Sequence, residues 1–279
     1  MSNFPPKVFI IGSQKSATTS LASLLNQNPD VCLSEPKEPN YYSVNYQLGE
    51  QWYKERFSDL NKVLIDASTT YSMHPLTHKS LSYKRGREAL IGVSERIYKD
   101  SSDAKLIYIL RDPVLRIYSN YWHNVKYGYE NKTYEQAIAD DSLYIETSMY
   151  FQQIKQYLKY FNKENILVIK FEDFVKNQLS YLNLCERFIG IHESANITKN
   201  HDENKGKQYG KIGRILIRNP FVNLIDRVSP KFLRTTIQKV FAREIPRLSE
   251  TKYNELKPIF LEDQKHFHEI FDTGYFDDN

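Results

Sequence analysis

KVFIIGSQKSATTSLASLL, residues 7–25, is the stretch on which the fold turns. Val8, Phe9, Ile10 and Ile11 form an unbroken apolar run, the pattern of a central strand buried on both faces. Gly12, Ser13 and Gln14 interrupt it, and Leu21, Leu24 and Leu25 then return at helical spacing. The order is strand, short polar loop, helix. Such a junction presents backbone N–H groups, hydroxyls and the Lys15 ammonium at a helix N-terminus, where unpaired donors and the helix dipole favour an anion. A phosphate or sulfate group is the expected occupant; the alternative is an ordinary turn with a solvated lysine.

The loop differs from the one that wraps a nucleoside triphosphate, G-x-x-x-x-G-K-S/T. Gly12 and Lys15 are present, but no glycine precedes the lysine and the loop is shorter. ATP and GTP are therefore disfavoured. The stretch resembles the 5′-phosphosulfate loop of sulfotransferases that use 3′-phosphoadenosine 5′-phosphosulfate (PAPS), roughly G-x-x-K-S/G-G-T-S/T-x-L after a strand. Gly12, Lys15, Ser16, Thr18, Thr19 and Leu21 match, and Ala17 stands where glycine is usual, which costs backbone freedom. The resemblance implies that Lys15, Ser16, Ala17, Thr18, Thr19 and Ser20 contact the cofactor, with Lys15 stabilising the leaving phosphate.

Residues 34–42, SEPKEPNYY, hold two prolines that forbid a regular helix or interior strand, so an extended, fairly rigid segment is expected. It resembles the K-E-P-H-F-F segment of the carbohydrate sulfotransferases, the heparan sulfate group above all. By that resemblance Glu38 is the catalytic base, with His123 or His74 as alternatives; by its chemistry alone Glu38 could be merely solvated. KVLID, residues 62–66, reads as a second strand. The family often carries E-K-S/T-P-x-Y here, with the lysine reaching the acceptor. Asp66, Ser68 and Tyr71 fit, but Ala67 takes the lysine's place, so one cationic contact to a heparan-type polyanion is missing.

AKLIYIL, residues 104–110, is a third strand and runs straight into Arg111-Asp112-Pro113. Asp112 suits an N-cap and Pro113 the first helical position, leaving Arg111 at a strand's carboxyl end, where open α/β sheets bind ligands. A guanidinium there can grip a phosphate monoester bidentately. The run RDPVLRIYSNY, residues 111–121, resembles the family's 3′-phosphate motif, which implies that Arg111 and Ser119 hold the cofactor's 3′-phosphate. Further helices are expected at 52–59, 87–100, within 144–161 and at 179–189, with a fourth strand at 166–170. Residues 199–210 read as a polar, basic loop; the family's late loop folds over the cofactor, so Lys205, Gly206, Lys207, Gln208 and Tyr209 join the cofactor contacts by resemblance.

The 279 residues suffice for one α/β domain, and a net charge of +4 is too mild to argue for nucleic acid. The 21 Tyr and 15 Phe are numerous, and core filling accounts for most of them. Cys32 and Cys185 form no metal-ligand or disulfide framework, so no metal is expected. No segment reads as a leader or membrane span, which gives a cytoplasmic expectation, with peripheral membrane contact left open by the basic stretch 211–246.

The sequence thus yields a P-loop-like three-layer α/β sandwich in a single domain over 1–279, with a helical, acceptor-side segment at about 211–279. The resemblance implies sulfuryl transfer from PAPS to a hydroxyl or amine, the acceptor being a carbohydrate or glycolipid. A P-loop kinase and a non-catalytic adenosine-bisphosphate-binding module are the alternatives. The oligomeric state is not legible.

Overall fold

Strand β1 (Val8–Gly12) is buried at all five positions and sits in the middle of a five-stranded sheet in the computed structural model. The strand order is β2 (Val31–Leu33), β3 (Val63–Asp66), β1, β4 (Lys105–Leu110), β5 (Ile166–Lys170), and every pairing is parallel. The structure describes residues 3–194, 207–209 and 242–276.

Alternation along the strands divides their side chains between two cores. Phe9, Ile11, Leu106, Tyr108 and Leu110 face one layer, where they meet Ile97 of α4 (Val93–Asp100) and Tyr150, Ile154 and Tyr157 of α8 (Tyr150–Tyr157). Val8, Ile10, Ile107 and Ile109 face the other. There they meet Leu21, Leu24 and Leu25 of α1 (Thr18–Leu25) and Leu182 and Cys185 of α10 (Gln178–Ile189). Helix–sheet–helix is the three-layer arrangement expected from continuous apolar strands, each fully buried Ile or Leu contributing about 1.5–3 kcal/mol. The tyrosines do fill a core: Tyr42, Tyr53, Tyr71, Tyr108, Tyr150, Tyr157 and Tyr275 are all at most 2% exposed.

Helix α5 (Pro113–Tyr127) starts as the sequence predicts. The Asp112 carboxylate accepts the Leu115 N–H at 2.9 Å and Pro113 opens the helix. The other helices are α2 (Gly49–Lys54), α3 (His78–Tyr83), α6 (Tyr134–Asp140), α7 (Leu143–Glu146), α9 (Phe171–Lys176), α11 (Glu250–Leu256) and α12 (Leu261–Phe271). The last two are built into the protein. Phe267 and Tyr275 enter the first core, while Phe260 packs with Val114, Ile117 and Tyr121 of α5. Asp263 caps α8 from another element, accepting N–H from Phe151 at 2.9 Å and Gln152 at 3.1 Å.

Several expected elements are divided or shorter. The helix expected over 87–100 is a 3-10 turn at Arg87–Leu90 followed by α4, because Gly92 takes φ 74° and breaks the run. The one expected within 144–161 is α8, and the short α7 precedes it with Thr147 and Ser148 buried between the two. The helix expected over 52–59 lies at Gly49–Lys54. Residues 207–209, expected in a loop, form β6 (Lys207–Tyr209), antiparallel to β7 (Ala242–Glu244) and against α5. Of the basic stretch expected over 211–246, residues 211–241 lie outside the described residues, as do Lys205 and Gly206. Among the described residues no helix is long and apolar enough to cross a membrane.

Candidate active site

The site grows from the end of β1. Gly12 has φ 151°, and a Cβ there would lie 2.0 Å from Ser72 Oγ, so the strand can end here only on a glycine. Ser13 turns the chain back to the sheet: its N–H and its hydroxyl both donate to the Ile109 carbonyl, each at 2.9 Å. Ser16 Oγ lies 2.7 Å from Ser13 Oγ, and both side chains are buried. The Ser16 hydroxyl therefore wires the loop to itself. Lys15 and Ala17 both take left-handed backbone, at φ 73° and 60°. Ala17 is the N-cap of α1 without a side-chain cap bond, and the first turn holds no acidic residue. The amides of Thr18, Thr19 and Ser20 thus end the helix without intrahelical acceptors, at its positive pole. Thr18 is buried and Thr19 exposed at the mouth.

The second strand end, of β4, delivers Arg111. Its Nη1 donates to the Lys15 carbonyl at 2.8 Å and its guanidinium lies 4.6 Å from the Phe171 ring centroid. Its Nε is buried without a partner, a donor left over for an anion. Arg116, fully buried one turn into α5, donates through Nε to Ser148 Oγ and through Nη2 to the Tyr144 carbonyl at 2.6 Å. Its charge reaches Lys15 although the sequence reading gave it no role. Ser119 is half-buried on α5, four residues before His123 and so on the same face.

His123 is what the sequence reading left as a substitute base, and the structure puts it at the centre. Its Nδ1 lies 3.2 Å from Lys15 Nζ. Burial, then the Lys15 and Lys126 charges, push the imidazole down to about 4, so at neutral pH it is uncharged and Nδ1 accepts from the Lys15 ammonium. Lys15 itself is lowered to about 8, first by burial and then by Arg111, Lys126 and Arg116. Glu38 opposes both shifts, so its carboxylate lies within electrostatic reach of this pair.

Glu38 is held on both oxygens. Lys37 Nζ donates to Oε1 at 2.8 Å and Thr69 Oγ1 to Oε2 at 3.1 Å. Lys37 Nζ also donates to the Ala67 carbonyl at 3.0 Å, so a lysine ammonium stands over residue 67 although residue 67 is not the lysine. Behind this, Asp66 accepts from Tyr53 OH at 2.7 Å, Tyr71 OH at 2.6 Å and Ser68 Oγ at 2.6 Å, and burial raises it to about 6. Ser68 Oγ in turn accepts the Asn40 N–H at 2.9 Å, which stitches the proline segment to the end of β3. His74, the other substitute base, packs instead by α8, where its backbone N–H donates to Gln153 Oε1 at 2.8 Å. Of the late segment, Lys207, Gln208 and Tyr209 are placed by their backbone in β6 beside α5. Among the described residues no group of three His, Cys, Asp or Glu could hold a metal ion.

The ends of β1 and β4 and the N-terminus of α1 thus bring Lys15 under the influence of Arg111, Arg116 and Lys126 and of the Glu38 carboxylate. Residues 5–209 match the family model described as a sulfotransferase domain. The chain belongs to the sulfotransferase family. The chain is 30% identical over 203 residues to heparan sulfate glucosamine 3-O-sulfotransferase 5 of Mus musculus, covering 67% of this chain and 54% of that protein. It is 26% identical over 230 residues to the bifunctional heparan sulfate N-deacetylase/N-sulfotransferase 2 of Bos taurus, covering 72% and 24%. It therefore spans about half or less of the length of these relatives. In fold it is similar to a sulfotransferase from Alicyclobacillus acidocaldarius, at a TM-score of 0.66 and 20% identity, covering 96% of both chains.

Proposed function

We propose that this sulfotransferase moves a sulfuryl group in line from PAPS to a hydroxyl or amine of a carbohydrate or glycolipid acceptor. The observation that carries the reading is the half-buried Lys15 ammonium, its pKa lowered to about 8, at the N-terminus of α1 beside Arg111 and within electrostatic reach of the Glu38 carboxylate. As the acceptor oxygen bonds to sulfur, the bond from sulfur to the bridging phosphate oxygen breaks and its electron pair stays on adenosine 3′,5′-bisphosphate. Lys15 meets that charge, and the α1 amides of residues 18–20 hold the 5′-phosphate. Glu38 takes the acceptor's proton, its carboxylate oriented by Lys37 and Thr69. Arg111, with its spare buried Nε, and Ser119 suit the 3′-phosphate. His123 accepts from Lys15 while no phosphate is bound and so keeps the ammonium in place.

The relatives' names speak of heparan sulfate and so support a saccharide acceptor. The domain is proposed to be single over 1–279. Cys32 and Cys185 are both free and buried, which accords with the cytoplasmic setting we propose. A kinase would need the triphosphate loop that Lys15 does not sit in. A non-catalytic binding module differs by experiment: Lys15→Ala should cut the rate at which labelled sulfate leaves PAPS by at least about a hundredfold with the Tm retained. An unchanged rate would remove Lys15 from the chemistry.

A further inference from the structure

From Lys15 a file of rings leads outward along α5 to solvent. His123 contacts Lys15, its ring lies 4.7 Å from that of Tyr127, and Tyr127 lies 6.3 Å from Tyr129 with the two planes only 24° apart. The first member is half-buried, Tyr127 is 44% exposed and Tyr129 76%. Scattered exposed apolar side chains are ordinary. An exposed pair of rings with near-parallel planes that continues directly from the transfer site is a more specific feature. The pair is also held in place. Gly128 caps α5 with φ 73°, and the N–H groups of Tyr129 and Glu130 both donate to the Asn124 carbonyl, at 2.8 and 3.2 Å. Tyrosine adds little conformational entropy loss when a ligand stacks on it, having two side-chain torsions.

We propose that Tyr127 and Tyr129 are the acceptor platform of this sulfotransferase, and that they stack the apolar faces of successive neutral sugar rings, with the reacting hydroxyl at the Lys15–Glu38 end. The inference rests on the PAPS-dependent transfer proposed above. Openness favours a sugar over a wholly apolar acceptor, because a sugar keeps its hydroxyls in water while one face covers the rings. Charge favours a neutral one. Lys126, which lies 5.5 Å from the Tyr127 ring, also bears on Lys15 at the cofactor end. The Glu130 carboxylate follows Tyr129, where it accepts the Asn131 and Lys132 N–H groups at 2.9 and 3.0 Å and would repel a polyanion. Residue 67 is alanine, and the Lys37 ammonium that stands over it is engaged by the Glu38 carboxylate and the Ala67 carbonyl.

The test uses the full chain, labelled PAPS, a panel of neutral disaccharide methyl glycosides and a heparosan hexasaccharide as the anionic comparison. The wild type should transfer to at least one neutral glycoside in preference to the hexasaccharide. The Tyr127→Ala/Tyr129→Ala variant should raise KM for that glycoside by about tenfold. Its rate of PAPS cleavage by water and its Tm rise with adenosine 3′,5′-bisphosphate should match the wild type, and Tyr127→Phe/Tyr129→Phe should keep the wild-type KM within about twofold because the rings remain. An unchanged KM in the alanine variant, transfer to the hexasaccharide alone, or no transfer to the panel by enzyme that binds the bisphosphate would each overturn the platform. Failure to bind the bisphosphate or cleave PAPS would instead strike the transfer reading beneath it.

Discussion

At the scale of single residues, Lys15 and Ala17 show what the loop costs. Both are non-glycine residues in left-handed backbone, which is unfavourable by about 1–2 kcal/mol each and persists where the surroundings determine it. The sequence comparison found alanine where glycine is usual, and φ 60° is the reason glycine suits that place. Ala17→Gly should therefore raise the Tm by about 1–3 °C, read by calorimetry, since strain relief exceeds the added unfolded-state entropy; a lower Tm would mean the methyl group packs well enough to offset the strain. Lys15 gives a pH prediction. In the free protein it loses its proton around pH 8, below the usual lysine value, because burial and three neighbouring cations disfavour the charge. Below pH 8 the ammonium is ready for the bisphosphate. Above it binding must recruit a proton, so affinity should fall by up to about tenfold per pH unit. Lys15→Arg, charged throughout, should bind with no such fall between pH 8 and 9.5 by titration calorimetry. A wild-type affinity flat over that range would remove the lowered lysine.

At the scale of elements, α5 is the organising piece: Asp112 and Pro113 start it, Arg116 anchors it, and Ser119, His123 and Tyr127 follow along it. Its start was legible because capping is a local matter of residue type and position. Asp112 also accepts from Tyr253 OH at 2.5 Å, a partner far along the chain that no local pattern announces. Asp112→Ala should thus remove a cap and the hydrogen bond from Tyr253 OH, lowering stability by about 1–3 kcal/mol in urea titration with the m-value unchanged. A loss under about 0.5 kcal/mol would mean that Pro113 and packing alone define the helix start. Less local features were harder to read. The breaks at Gly92 and 147–149 depend on how α4, α7 and α8 meet the core, and the pairing of β6 with β7 spans more than thirty residues. Lys15 and His123 are likewise brought together only by the crossing of α5 over the loop.

At the scale of the whole molecule, four apolar runs translated directly into four parallel strands, because a strand buried on both faces has few other ways to satisfy itself. The same runs set where the site must lie, since β1 and β4 both end at it. Their order in the sheet was not readable from the runs, and neither was the use of Phe260, Phe267 and Tyr275 as core residues brought from the far C-terminal end. The chemistry proposed depends on this assembly: one strand end supplies the 5′ side, the other supplies Arg111, and only a ligand with phosphates at both places engages them together. The most direct measurement is therefore the Tm of the full chain with adenosine 3′,5′-bisphosphate against ATP and AMP at equal concentration. At about 100 times its Kd the bisphosphate should raise the Tm by about 5 °C, with ATP and AMP at that same concentration giving much less. Equal shifts from all three would contradict the account.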